Sequence, residues 1–580
     1  MDRIRIFKII ILAAAVAIVF RLFYWQFIAK IEGGSEPNAS DNLLPAKRGE
    51  IFTSDGFPLA ANQEASLLYA VPYEMEKSPD YVAKILAPYL ISEKYATQEA
   101  NLSDEEENQK EEEIQRQEKY LAQKLKNQNL LWVQLARKVH EDTRIKIQEN
   151  QLTGLGFEKD DKRFYPEASL AANLLGFVGQ DKFGQDIGYF GLEGYYDRKL
   201  KGKPGRAGAQ VDPFGIPILV DKFRPQEPKS GASLSLNIER SIQFMVEGKL
   251  RQAVEKYGAK EGTVIISDPK NGHILTEATY PTYHPGLYFE FDEKVFKNPA
   301  VADTYEPGST FKLVTMSAAL DLGLVNPDTH CSICTGPRQI GGYEISTWNQ
   351  KYYPDSTMTE VIQHSDNIGM TYVADKLNVD KFYEYITKFG FGKLTQIDLQ
   401  EESPGYVREK SDWRPIDLAT ASFGQGIAVT PIQMVQAVSA IASGGKLITP
   451  KVVNKIVDGQ SFQEVKPDIV KQIIQPKTAA QITEMMVNAV EKGEARAFAP
   501  KGYRIAGKTG TAQIPVAGHY DPEKTIASFV GFAPADDPKF VMLVRFTEPQ
   551  SSPFGSETAA PTFFSIAKEL FIHFGIPPTK

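Results

Sequence analysis

A serine and a lysine stand three residues apart in the segment Glu306–Lys312, at the predicted start of a helix. A proline and a glycine interrupt the chain just before Ser309, and apolar residues follow at roughly helical spacing. Because residues i and i+3 share one face of a helix, Ser309 and Lys312 should point into the same cleft. A serine hydroxyl becomes a nucleophile when a neighbouring base takes its proton, and lysine is such a base when burial or another cation keeps it neutral. This segment therefore predicts a packed helix that carries a serine nucleophile and its base.

The Ser-x-x-Lys spacing is not specific by itself, because it also occurs at Ser267–Lys270, Ser443–Lys446 and Ser565–Lys568. Ser267 leads into a turn between two predicted strands, and Ser443 is followed by two glycines that are typical of a loop. Ser565 lies on a predicted amphipathic helix near the C-terminus, where serine and lysine are ordinary surface residues. The context therefore favours Ser309 over the other three serines.

Length and composition indicate a large folded protein. The chain has 580 residues, of which 42% are hydrophobic and 24% charged, enough for about two to four domains. The net charge of −8 and the lack of a long basic run in the sequence argue against nucleic acid as a partner.

The N-terminal segment predicts the compartment. Residues 9–20 form an uninterrupted apolar run, preceded by Arg3, Arg5 and Lys8. A cleaved signal peptide has a similar core, but aromatic residues follow here and no small-x-small cleavage site does. Extended to residues 4–27, the segment is long enough to span a bilayer. We therefore expect an uncleaved signal anchor that crosses the membrane once, with its N-terminus in the cytoplasm and the rest of the chain outside.

The only two cysteines, Cys331 and Cys334, are three positions apart. No second Cys-x-x-Cys pair completes a zinc site, so we expect neither a structural metal nor a cofactor. A local disulfide and two inert thiols both remain open.

The first half of the chain has the pattern of a mixed α/β scaffold. A polar linker at residues 33–44 precedes strand-like runs, and Glu, Gln and Lys dominate residues 94–128. Ser103 and Glu106 could form a capping box at the start of a solvated helix there. Nothing in this half predicts catalytic chemistry by itself.

The second half predicts a sheet that is closed by both ends of one domain. Strands are expected early and late, and a mostly helical stretch lies between them up to about residue 505. The predicted strands are 234–236, 262–267, 273–278, 525–532 and 540–546, and the flanking helices are 239–257 and 560–574.

Two further motifs follow Ser309 along the chain. Ser365-Asp366-Asn367 comes first, and Lys508-Thr509-Gly510-Thr511 follows it at the edge of the late strands. A glycine at this edge would let a substrate backbone approach closely.

In this order, Ser-x-x-Lys, Ser-x-Asn and Lys-Thr-Gly resemble the signature of penicillin-recognising serine acyl-enzymes. Further segments are similar to class B penicillin-binding proteins: 48–51, 165–166, 191–193, 305–312, 424–426, 430–431, 506–513 and 528–532. The resemblance implies an α/β multidomain protein with three parts: a cytoplasmic tip and anchor at 1–30, a linker and pedestal (dimerisation-type) domain at 31–230, and a transpeptidase domain at 231–580. That last domain would have a central antiparallel sheet with flanking helices. Nothing before the pedestal resembles a glycosyltransferase, unlike the two-activity class A type.

The resemblance also implies a role for each motif residue. Ser309 would attack the penultimate D-Ala of a peptidoglycan stem peptide, with Lys312 as its base and Ser365 as a proton relay. Asn367 would bond the substrate backbone, and Lys508 would hold the substrate carboxylate. Further substrate contacts are implied for Asp366, Thr509, Gly510 and Thr511. The backbone N–H groups of Ser309 and Thr511 would form the oxyanion hole.

The implied setting is cell-wall synthesis at the plasma membrane of a bacterium, inhibited by β-lactams. Implied partners are stem peptides, a polytopic glycosyltransferase and other proteins of the division or elongation machinery. The sequences of residues 306–312 and 528–534 are more similar to the division and spore-cortex type than to the elongation type. Two alternatives stay open: a D,D-carboxypeptidase or β-lactamase-like hydrolase with water as acceptor, and a catalytically silent scaffold.

Overall fold

The computed structural model describes residues 12, 16, 18, 20, 21, 43–95, 103–127, 130, 132–206, 226–516 and 519–578. Most of the predicted membrane anchor at residues 4–27 lies outside these residues. In the part of the chain that is described, no helix has both the length and the apolar composition that a membrane crossing requires.

The first half of the chain alternates short strands and helices, as the sequence predicts. The strands are Leu43–Leu44, Ile51–Phe52, Pro58–Gln63, Ala65–Ala70, Val133–His140, Leu155–Lys159, Lys162–Phe164, Phe177–Gln180, Asp186–Tyr189 and Gly205–Arg206. The α-helices are Pro79–Tyr95, Asp104–Leu125, Glu141–Glu149, Ala172–Leu175, Gly191–Tyr195 and Asp197–Leu200, and Pro72–Glu74 is a 3₁₀ turn.

The second half contains the longest strands. Its strands are Ser233–Leu236, Glu261–Ser267, Ile274–Tyr280, Arg338–Ile340, Tyr343–Ile345, Lys446–Ile448, Val453–Asp458, Ser461–Glu464, Ile469–Gln472, Ala506–Val516, His519–Ala533 and Phe540–Thr547. Its α-helices are Arg240–Tyr257, Pro299–Ala302, Lys312–Asp321, Met358–Gln363, Asn367–Lys388, Pro415–Ala421, Pro431–Ala442, Pro476–Lys492 and Ala559–His573. The 3₁₀ turns are Pro285–Glu290, Glu293–Val295, Gly308–Phe311 and Lys410–Asp412.

One five-stranded antiparallel sheet joins the early and late strands, which confirms the prediction of a sheet closed from both ends. Its order is 274–280, 261–267, 540–547, 519–533 and 506–516. The strand that carries the Lys-Thr-Gly motif is therefore an edge strand, as expected.

Side chains alternate between the two faces of this sheet, as strand geometry requires. Val264 and Ile266 join the core beneath helices Arg240–Tyr257 and Ala559–His573. Ile265 joins the core on the opposite face, where helix Pro431–Ala442 packs. That helix and Lys312–Asp321 are buried almost all round, as expected for helices that are apolar on every side.

A second sheet, of six strands, links segments that are far apart in sequence. Its order is 461–464, 453–458, 233–236, 51–52, 58–63 and 162–164. Strand Ser233–Leu236 pairs in parallel with Ile51–Phe52 and antiparallel with Val453–Asp458. The stretch that the sequence predicts as mostly helical therefore also contains strands: Val453–Asp458 and Ser461–Glu464 extend this six-stranded sheet, and Lys446–Ile448 pairs with Ile469–Gln472 in a two-stranded sheet of its own.

The acidic segment forms the solvated helix that its capping box predicts. Ser103 accepts from the backbone of Glu106, and the Glu106 carboxylate accepts from the backbone of Ser103. The helix packs against Pro79–Tyr95 and contacts the strand Val133–His140 of a three-stranded sheet.

Among the described residues, 43–47 group with 203–206 and 226–229 in one small compact unit, and the two large sheets belong to a second, larger unit. Within that smaller unit, Leu43–Leu44 pairs with Gly205–Arg206. In the larger unit, Cys331 and Cys334 form a buried disulfide, which decides between the two alternatives that the sequence leaves open.

Candidate functional site

Ser309 stands in the 3₁₀ turn Gly308–Phe311, directly before helix Lys312–Asp321. Gly308 has a φ of +53°, and a Cβ at this position would lie 2.9 Å from the carbonyl oxygen of Thr511. Only glycine combines this backbone conformation with so close an approach. The turn of the predicted nucleophile is thereby held against the Lys-Thr-Gly strand.

Ser365, Asp366 and Asn367 connect helices Met358–Gln363 and Asn367–Lys388. Ser365 has a φ of +55°, a conformation that non-glycine residues rarely adopt and that surrounding contacts must enforce. The Asp366 carboxylate accepts from the backbone N–H groups of Ile368 at 2.7 Å and Gly369 at 3.2 Å. Asp366 is therefore a buried helix cap, and its contacts hold the turn between Ser365 and Asn367. Both bonds are made by Oδ1, and the substrate contact that the resemblance implies for Asp366 stays a prediction.

The Ser365 hydroxyl is the centre of the site. It donates to Ser309 Oγ at 2.8 Å and accepts from Lys508 Nζ at 3.0 Å and from Lys312 Nζ at 3.3 Å. Ser309 is half-buried, whereas Ser365 and both lysines are almost fully buried. The structure thus brings together the nucleophile, base, relay and second lysine that the sequence predicts.

Lys312 is surrounded by neutral acceptors. Its Nζ donates to the Ser365 carbonyl at 2.6 Å and to Asn367 Oδ1 at 2.8 Å. Burial is the main cause that lowers the pKa of Lys312 well below that of an exposed lysine, and the charge of Lys508 lowers it further. The sequence analysis named both burial and a second cation as possible causes, and the structure shows that burial is the larger of the two.

Both the oxygen and the nitrogen of the Asn367 amide form hydrogen bonds. Its oxygen accepts from Lys312, and its Nδ2 donates to the carbonyl of Ser346 at 3.0 Å. Because the amide nitrogen carries two hydrogens, one donor remains for a bound ligand.

Lys508 is also buried, and its Nζ donates to the Thr509 carbonyl at 3.2 Å and to Thr509 Oγ1 at 3.1 Å. Burial lowers the pKa of Lys508, and the carboxylate of Glu494 opposes this effect. Glu494 also accepts from Thr509 Oγ1 at 3.3 Å. Glu494 was not predicted from the sequence, because a single acidic residue in a turn belongs to no recognisable motif.

The remaining residues of the Lys-Thr-Gly motif pack against neighbouring segments of the protein. A Cβ at Gly510 would lie 2.4 Å from Ser528 Oγ and 2.9 Å from the Thr310 methyl group, so the protein's own packing requires this glycine. Thr511 Oγ1 accepts from the backbone N–H of Gly555 at 3.1 Å. This bond ties the strand to the loop that follows the last strand of the sheet.

Two exposed or half-buried aromatic residues also belong to loops tied to the site. Trp348 follows the segment that accepts from Asn367, and Phe554 precedes the glycine that donates to Thr511. Their rings contact each other edge to face with centroids 5.4 Å apart. The sequence reasoning missed this pair as well. Among the described residues, no cluster of His, Cys, Asp and Glu could hold a metal ion.

Comparison with known families assigns both halves of the chain. Residues 262–569 match the penicillin-binding protein transpeptidase domain, and residues 43–236 match the penicillin-binding protein dimerisation domain. The chain belongs to the penicillin-binding proteins, as a class B member that carries both domains.

Similar proteins support this assignment over nearly the whole chain. The chain is 34% identical to stage V sporulation protein D of Bacillus subtilis, over 97% of this chain and 84% of that protein. It is 32% identical to a probable peptidoglycan D,D-transpeptidase, PbpC, of Pseudomonas aeruginosa, over 97% and 94%. It is 30% identical to the peptidoglycan D,D-transpeptidase FtsI of Escherichia coli, over 75% and 71%.

Solved structures share the fold. A peptidoglycan synthetase of Bifidobacterium adolescentis superposes with a TM-score of 0.72 at 25% identity, covering 93% of this chain and 97% of that one. Penicillin-binding protein 3 of Mycobacterium tuberculosis, in complex with aztreonam, gives a TM-score of 0.69 at 25% identity, covering 93% and 98%.

Proposed function

We propose that this chain is a serine-type peptidoglycan D,D-transpeptidase that cross-links stem peptides through an acyl-enzyme on Ser309. The observation that carries this proposal is the Ser365 hydroxyl, which bonds to Ser309 Oγ and to both buried lysines. Family membership supports the enzyme class, and this geometry supports the assignment of residues.

In the first step, Ser309 Oγ bonds to the carbonyl carbon of the penultimate D-Ala. Its proton passes to neutral Lys312 along the Ser365 hydroxyl, which lies between the two side chains. The peptide bond to the terminal D-Ala then breaks, and its nitrogen takes up the proton through Ser365. The products are an ester on Ser309 and free D-Ala.

In the second step, an amine from a neighbouring strand bonds to the same carbonyl carbon. The amine loses a proton to Lys312, the ester bond breaks, and Ser309 Oγ regains its proton. A new peptide bond forms, which is the cross-link. No metal or cofactor takes part in either step.

The edge strand Ala506–Val516 supplies the substrate platform in this proposal. An extended peptide can add to a free strand edge through main-chain hydrogen bonds. Lys508, Thr509 and Thr511 would hold the terminal carboxylate, with Gly510 beside them. The close approach of Gly308 to the Thr511 carbonyl supports an oxyanion hole formed by the N–H groups of Ser309 and Thr511.

We also propose the cellular setting from the sequence. Residues 1–30 would anchor the chain in the plasma membrane, the pedestal would occupy residues 31–230, and the catalytic domain residues 231–580. The partners would be a polytopic glycosyltransferase and other proteins of the division machinery. A reporter that is active only in the cytoplasm, fused after Lys580, should be silent, and activity there would overturn the topology.

The test of the activity uses the full-length protein, solubilised in detergent, and a fluorescent penicillin. We expect a stable one-to-one adduct that peptide mapping places on Ser309. Ser309→Ala should remove the adduct and leave the melting temperature nearly unchanged, whereas the matched Ser565→Ala should label normally. An adduct on another serine would overturn the assignment, an unlabelled protein would indicate a scaffold, and turnover of the label would indicate a hydrolase.

A further inference from the structure

A chain of polar side chains connects the surface to the centre of the site. Glu494 is exposed, in the turn after helix Pro476–Lys492. Its Oε2 accepts from Thr509 Oγ1 at 3.3 Å, and that hydroxyl accepts from Lys508 Nζ at 3.1 Å. Lys508 Nζ in turn donates to the Ser365 hydroxyl at 3.0 Å. A surface carboxylate is thus linked to the hydrogen-bond partner of the nucleophile.

Lys508 is a buried amine whose direct hydrogen-bond partners are all neutral. They are the Ser365 hydroxyl, the Thr509 hydroxyl and the Thr509 carbonyl. A buried charge without an opposite charge is costly, and hydroxyl groups alone compensate it incompletely. The opposite charge that acts on Lys508 belongs to Glu494, one hydroxyl away.

Few other charged groups face the two lysines. The charged groups that shift the pKa of Lys312 are Lys508, Asp366 and Glu494, and the one that shifts the pKa of Lys508 is Glu494. The carboxylate of Asp366 already caps a helix. Glu494 takes part in none of the ion pairs found within the described ranges, so its charge is available to the site.

The turn that carries Glu494 is fixed on both sides. A Cβ on Gly493 would lie 2.2 Å from the Ala489 carbonyl oxygen and 3.0 Å from the Gln363 carbonyl oxygen. The next residue, Ala495, is buried. Because Gln363 lies two positions before Ser365, this packing places the turn directly against the segment that holds the relay serine.

We propose that Glu494 is a positioning residue that keeps the buried Lys508 charged. With Lys508 charged, Lys508 can bind the substrate carboxylate while the neutral Lys312 acts as the base. The inference rests on the proposed function and extends it to a residue outside the three motifs.

The sign of the effect follows from the electrostatics. The charge of Glu494 raises the pKa of both Lys508 and Lys312, against the lowering effect of burial. Removing this charge should lower both values. The acidic limb of the labelling rate should move to lower pH because Lys312 loses its proton earlier. The alkaline limb should also move to lower pH because Lys508 loses its charge earlier.

The experiment measures the second-order rate of labelling by a fluorescent penicillin, on the full-length protein, across the pH range in which both limbs appear. Glu494→Gln keeps the shape and the hydrogen-bonding capacity but removes the charge. The matched control is Glu491→Gln, three residues earlier and also exposed. We expect both limbs to shift downward in Glu494→Gln and to stay in place in Glu491→Gln. Added salt should reduce the shift, because an exposed charge is screened.

Two further variants separate positioning from a merely structural role. Glu494→Asp restores the charge and should return both limbs towards their wild-type positions. Thr509→Val removes the bridging hydroxyl, so combining it with Glu494→Gln should give less than the sum of the two separate effects. If the labelling rate of Glu494→Gln fell at every pH while the acidic and alkaline limbs of its pH profile kept their positions, Glu494 would have a structural role and the inference would be overturned.

The inference and the proposed function fail in different ways. If Ser309→Ala still labels, the proposed function is wrong. If Ser309→Ala does not label and the pH profile of Glu494→Gln superimposes on that of the wild type, only the role of Glu494 is wrong. Equal shifts in Glu494→Gln and Glu491→Gln would also overturn it, because the effect would then reflect net charge alone.

Discussion

Two clusters of buried charge in this molecule are built in opposite ways. In the pedestal, the fully buried Glu193 accepts from Arg48 Nε at 2.8 Å and from Arg163 Nε at 2.7 Å. In the catalytic site, Lys312 and Lys508 are buried side by side, and hydroxyl, carbonyl and amide groups surround them. The pedestal pairs opposite charges, whereas the site brings like charges together.

The pKa values respond accordingly. Burial alone would raise the pKa of Glu193, but Arg163 and Arg48 outweigh burial and lower it. Burial and Lys508 act in the same direction on Lys312, so its pKa falls. The charge of Glu193 is thus stabilised by its partners, whereas burial and a like charge favour the neutral form of Lys312, as its proposed role as a base requires.

The largest expected effect is on catalysis. Lys312→Met should slow labelling by about 10²–10⁴-fold, because the general base is lost. Its stability should change little, because removing a buried amine offsets the cost of the acceptors that lose their donor. The measurements are labelling rates and urea unfolding, with Lys568→Met as the exposed control that has the same Ser-x-x-Lys spacing. Wild-type labelling by Lys312→Met would show that the two clusters do not differ in function.

The pedestal cluster should behave in the opposite way. Glu193→Gln leaves Arg163 buried without the carboxylate it pairs with and leaves Arg48 with Asp197, which should lower the free energy of unfolding by about 3–5 kcal/mol. The labelling rate per folded molecule should stay unchanged, because this cluster does not contact the site residues. Glu158→Gln, on an exposed strand position, serves as the control. Reduced labelling by folded Glu193→Gln would mean that the pedestal acts on the site.

The sequence predicted those features that depend on neighbouring residues in the chain. The capped acidic helix and the two ends of the central sheet follow from short-range patterns and were found as expected, and the predicted helix begins with the 3₁₀ turn that holds Ser309. The pedestal segments that include Arg48, Arg163 and Glu193 were recognised by resemblance, but their mutual contacts join residues up to 145 positions apart. Sequence spacing carries no information about such contacts.

The same limit explains what was missed in the site. The three motifs predicted which residues meet, but the position of Ser365 between both lysines depends on a contact across 143 residues. The Ser-x-Asn motif does not reveal that Asp366 caps the helix that follows it, because that role depends on the geometry of the turn. Glu494 stands outside any motif, and its role depends on where one turn packs.

The pH dependence of stability should separate the two clusters. Glu193 has a lowered pKa when folded, so its contribution is present above its unfolded value of about 4.3 and is lost as the pH falls through the folded value. Lys312 also has a lowered pKa when folded. Between that value and about 10.4, the unfolded state binds one more proton, so stability rises with pH there.

Urea unfolding at a series of pH values tests both windows. Glu193→Gln should lose the acidic part of the slope, and Lys312→Met should lose part of the rise on the alkaline side. Glu158→Gln should keep both. If Glu193→Gln changed only the alkaline slope, the contrast between the two clusters would be wrong.

The smallest effect is expected at the disulfide, which belongs to neither cluster. Cys331 and Cys334 are joined across three positions, and the backbone N–H of Cys331 bonds to the carbonyl of Ser356. So short a loop restricts the unfolded chain little, so the double Cys→Ser variant should lose only about 2 kcal/mol of stability. Its labelling rate should stay within about tenfold of the wild type, or roughly 1.4 kcal/mol in activation free energy, because neither sulfur belongs to the hydrogen-bond network around Ser365. A greater loss of labelling, with folding intact, would mean that this loop shapes the cleft and that the site extends beyond the two lysines and their partners.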